Sequence, residues 1–401
     1  MKYELKERIF KFINNHIELL FFAFITIITL LIRFALIKNT SDDIESFIKP
    51  WFYELKANGG LFGLKQNIGD YNAPYFTILA LLTYLPIEPI ISVKLVSIFF
   101  DYVCAFSIIQ LVYIIFKDNK NKNIYGLLAY VITLLLPTVI LNSSYWGQAD
   151  SIYTAFVLIS MVYLLKEKYT LSFIFLGISF AFKLQFIFIL PMYILVYISK
   201  EKISILHFLI IPLMNFILCL PSIIFGKPVL DCIKVYWTQT TEYSEYLSMN
   251  FPGIWNILLP KAINEYNYVA TTGINIDWYG ILITIALYCI IAFFVIYKKI
   301  KFDKIQIVEF GLLSIMIATF FLPHMHDRYL YMADILSIVY YMLNKDKLYV
   351  PIGISLISLY TYSSYLFYST IINIQFVSYL YLLLLILVSK DIYNKYLRVN
   401  D

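Results

Sequence analysis

Four short polar stretches interrupt a chain that is otherwise strongly apolar, and they hold the side chains best suited to chemistry. The longest, residues 142–151, places an amide, hydroxyls, an indole N–H and a carboxylate between two apolar runs. Polar groups at the depth of a membrane need partners, and they mark substrate paths more often than they serve stability. The other stretches are 41–43, 183–185 and 324–329. We predict that the four stretches meet in one site.

The acidic pair Asp42 and Asp43 follows the first apolar run by a few residues. A carboxylate in this position can accept a proton from the hydroxyl of an attacking acceptor. The alternative is an ordinary solvated pair, because acidic residues are common on protein surfaces. We predict that one of the two is a general base, and the residue types leave open which one.

The stretch 142–151 offers groups that bind sugars. Gln148 and Asp150 are suited to bind hydroxyls, and Trp146 is suited to stack on a sugar ring, with Tyr145 beside it. Asp150 also begins a predicted helix, so a role as N-cap is the alternative for that residue. We predict that these side chains bind substrate.

Lys183 and Gln185 lie midway in an apolar run, residues 169–199, that begins and ends beside lysines. This arrangement predicts two short helices with the two polar residues at the turn between them. An ammonium flanked by apolar residues is a natural partner for the phosphate of a lipid carrier. The alternative is a lysine that reaches the membrane interface along its own stem.

The stretch 324–329 combines His324, His326, Asp327, Arg328 and Tyr329. Its spacing does not match a strong zinc signature, so we predict no metal ion and no other cofactor. The planar fork of the arginine suits a phosphate or a carboxylate. The alternative is an interfacial cluster, in which the aspartate begins a helix and the tyrosine belongs to an aromatic belt.

The composition defines the setting of these stretches. Hydrophobic residues make up 61% of the 401 positions and charged residues 14%, and the mean hydropathy is +0.76. A soluble fold cannot cover so much apolar surface, and helices satisfy their own backbone groups in lipid. The formal net charge of +5 is scattered over loops, so nucleic-acid binding is not predicted. The chain is predicted to be an all-α, polytopic protein of the cell membrane.

The apolar runs predict about twelve transmembrane helices and one half-inserted segment near residues 75–85. A cytoplasmic amphipathic N-terminus, 1–16, precedes a single helical domain, 17–388, and a cytoplasmic tail, 389–401, follows it. We expect the first run to be a retained span rather than a signal peptide. The loops predicted on the outer side are 38–73, 142–150, 226–277 and 323–328.

Charge counting supports this orientation. About 20 of the 31 Lys and Arg residues fall in the connectors assigned to the cytoplasm. Arg33 lies near the outer end of the first span, where we expect it to reach the interface. Lys94 and Asp101 are two helical turns apart, so each is expected to meet a partner on another helix.

Taken together, the stretches resemble the polytopic glycosyltransferases of the GT-C class, and among them bacterial proteins similar to the PIG-V type mannosyltransferase of GPI-anchor synthesis. The resemblance rests on Asp42-Asp43, on residues 145–150, on residues 182–185 with Pro191, and on residues 324–329. It covers most of the chain. Each motif is short, and only their order and their side of the membrane are distinctive.

The resemblance implies a GT-C-like fold, a polyprenyl-phosphate sugar donor and an active site on the extracytoplasmic side. It also implies inverting transfer of mannose or another hexose to a glycan, glycolipid or protein, with Asp42 or Asp43 as the base. His324, His326 and Arg328 would line the donor side. Some relatives have a glutamate where this chain has Asp327, which leaves the role of that residue open.

Two readings compete with an enzyme. A transporter or lipid flippase also buries charged residues, but it places them near the midplane and often shows internal symmetry. Here the polar stretches gather on one predicted side, and no repeat is visible. A membrane scaffold would need neither the 146–150 nor the 324–328 cluster. The sequence therefore favours a glycosyltransferase.

Overall fold

The computed structural model of the chain describes residues 2–242, 246–259 and 276–398. Within these residues the chain is almost entirely helical, which confirms the all-α prediction. The loop predicted at 226–277 falls partly on residues 243–245 and 260–275, and the tail predicted at 389–401 falls partly on 399–401. Those parts lie outside the described residues.

Apolar runs without internal proline form the helices of the first half of the chain. Helix α1 contains a kink at His16, where the backbone leaves helical dihedral angles, next to the boundary predicted between the N-terminus and the first span. The helices are α1 (Lys2–Leu36), α2 (Lys49–Ala57), α3 (Ala73–Leu82), α4 (Pro89–Ile115), α5 (Lys122–Leu135), α6 (Pro137–Ile140), α7 (Asp150–Leu165), α8 (Tyr169–Phe182) and α9 (Leu190–Ser199).

The second half adds further helices and one pair of very short parallel strands. The strands are β1 (Ser248–Met249) and β2 (Met325–His326). The helices are α10 (Ile210–Ile224), α11 (Val229–Glu242), α12 (Ile254–Leu258), α13 (Asp277–Tyr297), α14 (Lys304–Phe321), α15 (Tyr331–Leu343), α16 (Tyr349–Leu366) and α17 (Ile374–Ile392). Single turns of tighter or wider helix lie at Ile44–Ile48, Gly60–Lys65, Leu141–Trp146, Leu184–Phe188, Ile205–Leu209 and Tyr393–Leu397.

Six helices among the described residues are long and apolar enough to cross a membrane, and a bent pair adds a seventh candidate. Shorter apolar helices accompany them. The chain is therefore a membrane protein. Among these candidate spans α14 is the most buried: 78% of its most apolar 18-residue stretch is buried, whereas 17% is buried in α1 and in α13. The two outer helices thus keep apolar faces free for lipid.

The bent pair is made by α5 and by the segment Pro137–Trp146, which meet at 51°. Leu136 leaves the helical region, as residues before proline tend to do, and Pro137 starts α6 as its first residue. The chain then continues into the π-helical turn Leu141–Trp146. Two thirds of the polar loop predicted at 142–150 is therefore helical, because Asp150 also begins α7, and the bend directs the segment into the bundle.

The break predicted between residues 169 and 199 is present. Lys183 has an extended backbone between α8 and the turn Leu184–Phe188, and α9 follows. Residues Ile44–Ile48 form a π-helical turn, and α2 follows it directly. The site's polar residues therefore lie at element ends, as their sequence positions suggested.

The expectation for Arg33 is wrong, because its side chain is fully buried rather than at the interface. Its Nε donates to Asp101 Oδ2 at 2.9 Å, and Ser143 Oγ donates to the same oxygen at 2.6 Å. Tyr331 donates to Asp101 Oδ1 at 3.1 Å. The carboxylate on α4 thus neutralises the buried guanidinium, which would be costly to bury alone. Lys94 is also buried and donates to the Asn39 carbonyl at 2.6 Å.

We predict that Asp101→Leu and Arg33→Met each destabilise the protein by about 3–5 kcal/mol, because each leaves one buried charge unpaired. The double variant should be more stable than either single variant. Thermal unfolding in detergent measures this, with the exposed pair Glu45 and Lys49 as control. Removing that surface pair should cost about 1 kcal/mol or less. A double variant whose loss equals the sum of the single losses would contradict the pairing.

Candidate functional site

Asp43 is the most extensively bonded carboxylate of the four polar stretches. Its Oδ2 accepts hydrogen bonds from Trp146 Nε1 at 2.8 Å and from Gln148 Nε2 at 2.5 Å. Its Oδ1 accepts one from the Tyr365 hydroxyl at 2.5 Å. Arg328 lies 3.6 Å from Oδ2. Three donors from two distant segments therefore fix the orientation of this carboxylate.

Gly147 makes the Trp146 and Gln148 contacts possible. It follows the turn Leu141–Trp146 in the left-handed region, at φ 76°, where glycine is favoured. A Cβ at this position would come within 3.1 Å of the Ile44 side chain and 3.3 Å of Lys94. The glycine thus reverses the chain and lets the segment pack closely against the residues that follow α1.

Asp150 forms a second charged centre behind the first. Lys183 Nζ lies 2.5 Å from its Oδ1, and Asn142 Nδ2 donates to its Oδ2 at 2.9 Å. Arg328 Nε lies 3.6 Å from Oδ2. Asp150 is fully buried and its side chain caps no helix, so the N-cap alternative does not apply. Its role is to hold cations in place.

Arg328 lies between the two centres. It is 3.6 Å from a carboxylate oxygen of Asp43, of Asp150 and of its neighbour Asp327. Its guanidinium also lies 5.5 Å from the centre of the Trp146 ring. All three carboxylates are beyond hydrogen-bond distance, and the buried Nε has no hydrogen-bond partner. Electrostatic attraction to the carboxylates therefore holds the guanidinium, while its Nε donates no hydrogen bond.

Asp43 and Arg328 border a cavity of about 250 Å³. Two further buried oxygens on its wall, Asp70 Oδ1 and Asp327 Oδ1, have no hydrogen-bond partner. Unpaired buried polar atoms are rare in native proteins and require an explanation. The three residues that carry these atoms, Arg328, Asp70 and Asp327, line one cavity, and a ligand with both acceptor and donor groups would suit its wall. The polar residues on the wall are Asp43, Asp70, Tyr71, Gln148, Asn250, His326, Asp327, Arg328 and Tyr365.

The structure separates Asp42 from Asp43. Asp42 is exposed and accepts a hydrogen bond from Tyr368, whereas Asp43 lines the cavity. The geometry favours Asp43 as the residue that can act on a bound molecule.

Two predicted roles are wrong. Trp146 is fully buried, and its ring stacks on Tyr365 with a centroid distance of 4.8 Å, so it is closed to a sugar ring. The predicted binding of sugar hydroxyls by Asp150 is also wrong, because this side chain is fully buried and its oxygens accept hydrogen bonds from Lys183 and Asn142. Both side chains instead support the groups that line the cavity.

The remaining predicted residues divide into two groups. His326 lines the cavity, and its ring lies 5.1 Å from that of Tyr329. Gln185 interacts with the Tyr329 hydroxyl, which places both residues at the edge of the cluster. His324 instead accompanies Tyr246 and Asp277, and Tyr145 packs against Phe367. The structure does not bring these last two predicted residues to the cavity.

Sequence reasoning missed several residues of the site. Tyr365 binds Asp43, Tyr71 donates to Gln148 Oε1 at 3.3 Å, and Asn142 binds Asp150. Asp70 and Asn250 line the cavity. The chain has 36 tyrosines, and nothing in the local sequence distinguishes Tyr71 and Tyr365 from the others.

The cavity environment changes the acidity of its groups. Burial raises the pKa of Asp327 to about 7, against the opposing effect of Arg328. Burial lowers the pKa of His326, and the charges of Arg328 and Lys183 lower it further. Near neutral pH the histidine is therefore uncharged, while Asp327 changes between its two forms.

Among the described residues, no three His, Cys, Asp or Glu side chains converge in the way that a metal site requires. His324 and His326 have different surroundings, so they do not form a ligand pair. In comparisons with known proteins, no family model matches the sequence, and no curated protein matches it.

The raised pKa of Asp327 predicts a pH-dependent stability. The folded protein holds this proton more tightly than the unfolded chain, so stability is lost as pH rises from 3.8 to about 7. The native protein should therefore lose about 2 kcal/mol of unfolding free energy from pH 5 to pH 8, and Asp327→Asn should not show this loss. Thermal unfolding at the two pH values measures this loss. The exposed Asp118→Asn serves as control, and an equal effect of Asp327→Asn at both pH values would contradict the shift.

Proposed function

We propose that this protein is a glycosyltransferase that moves mannose or another hexose from a polyprenyl-phosphate donor to an extracytoplasmic glycan, glycolipid or protein. The observation that carries the proposal is the cavity whose wall combines the guanidinium of Arg328 with the carboxylates of Asp70 and Asp327. A sugar phosphate presents phosphate oxygens to the arginine and hydroxyls to the carboxylates.

Arg328 is the residue proposed to bind the phosphate. Its planar fork suits phosphate oxygens. Among the described residues that line the cavity, it is the one lysine or arginine. Lys183 lies behind it and neutralises Asp150, so that this carboxylate leaves the arginine available. Asp70 and Asp327 are placed to accept hydrogen bonds from the hydroxyls of the sugar.

Asp43 is proposed as the general base. It takes the proton of the acceptor hydroxyl while the hydroxyl oxygen forms a bond to the anomeric carbon of the sugar. The bond between that carbon and the phosphate oxygen breaks on the opposite face, and its electron pair leaves with the polyprenyl phosphate. Attack opposite to the leaving group inverts the configuration. Arg328 stabilises the negative charge that develops on the phosphate.

The membrane arrangement is part of the same proposal. We propose a GT-C-like bundle of about twelve crossings, in which shorter apolar helices join the long ones and α3 is half-inserted. The basic connectors, such as residues 117–122 and 298–304, lie at the ends of helices away from the cavity. By the positive-inside rule those ends face the cytoplasm, and the cavity opens on the outer side.

Asp43→Asn should abolish sugar transfer, with a loss of about 100-fold or more, because an amide cannot accept the proton. The matched control is Asp42→Asn, which changes the neighbouring exposed carboxylate and should leave most activity. The assay incubates purified protein with polyprenyl-phosphate mannose or glucose and membranes from a strain that lacks the protein, and follows the products by mass spectrometry. Full activity of Asp43→Asn would overturn the assignment. Transport of the lipid-linked sugar without transfer would favour a flippase.

Transfer should continue in excess chelator, because a monophosphate leaving group stabilised by Arg328 creates no strong need for a divalent ion. The same assay with and without chelator measures this. Loss of activity in chelator, restored by one added cation, would show that a metal ion takes part.

A further inference from the structure

A second cavity, of about 420 Å³, adjoins the charged one. Asn250 lies on the walls of both cavities. The strand before it separates them, since Ser248 lines the second cavity and Met249 lines the charged one. Successive side chains of a strand point to opposite faces, so this short segment acts as a partition.

Two consecutive residues at the end of α16 also line different cavities. Ser364 lines the second cavity, and Tyr365 lines the charged cavity and binds Asp43. Ser364 Oγ donates to Asn250 Oδ1 at 3.1 Å, which ties the two partitions together. A molecule in the second cavity would therefore lie one residue away from the groups that orient the proposed base.

The chemistry of the two walls differs. The described residues that line the second cavity include none that carry a charge. Its wall offers amides, hydroxyls, one aromatic ring and some aliphatic groups, and Asn256 Oδ1 is buried there without a hydrogen-bond partner. The polar and aromatic residues are Ser248, Asn250, Asn256, Tyr360, Ser364, Thr370 and Asn373.

Neutral hydroxyls and amides beside an aromatic ring suit an uncharged ligand with many hydroxyl groups. A phosphate or an acidic sugar would lack a counter-charge on this wall and would lose its hydration without compensation. We propose that the second cavity binds the sugar units of an uncharged glycan, and, resting on the function proposed above, that this glycan is the acceptor.

Thr370 provides the test, because it lies exposed on the wall of this cavity and not in the charged one. Thr370→Trp should fill the cavity without disturbing the core. The matched control is Ser369→Trp, which places the same ring on the preceding exposed residue, outside the residues that line either cavity. Saturation-transfer NMR of the protein in nanodiscs, without donor, measures binding of mannobiose, maltose and cellobiose, with a glucuronate-containing disaccharide as charged comparison.

We expect at least one neutral disaccharide to bind better than the charged one. Thr370→Trp should weaken that binding by about tenfold or more, and Ser369→Trp should leave it within about twofold. Absence of binding by all neutral disaccharides, preference for the charged one, or equal effects of the two tryptophans would overturn the proposal.

The outcome is independent of transfer activity. Disaccharide binding in a protein that shows no transfer would leave the glycan site in place and remove the proposed enzyme function. Transfer without disaccharide binding would support the enzyme function and remove the proposed glycan site.

Discussion

The site depends on one guanidinium that three carboxylates surround without bonding closely. Arg328 lies 3.6 Å from oxygens of Asp43, Asp150 and Asp327, so it is held by attraction while its Nε stays unpaired. A buried donor without a partner costs free energy, and a bound anion removes that cost. The native arrangement is thus suited to a ligand with acceptor oxygens rather than to an empty core.

Distant parts of the chain must agree to build this arrangement. The bend at Pro137 and the left-handed Gly147 direct Trp146 and Gln148 toward Asp43. The break at Lys183 brings its ammonium to Asp150. The buried pair of Arg33 and Asp101 ties α1 to α4 and, through Ser143, to the same bent segment. Buried interactions between the helices therefore position groups that lie at the helix ends.

Much of this order could be predicted from the sequence. Apolar runs indicated the helices, and polar residues between them indicated where the cavity lies, because buried polar groups are costly without a function or a partner. The difference between Asp42 and Asp43 could not be predicted, since it depends on how the turn Ile44–Ile48 rotates two identical residues. The burial of Trp146 and the contribution of Tyr365 depend on contacts between segments far apart in sequence.

Binding of the lipid carrier tests the central claim most directly. The measurement compares the affinity of the protein in nanodiscs for polyprenyl monophosphate and for the corresponding uncharged polyprenol, which differ only in the phosphate. The account predicts that the phosphate binds at least about tenfold more tightly, and that Arg328→Gln removes this preference. Equal affinity for the two lipids, or an undiminished preference in Arg328→Gln, would contradict it.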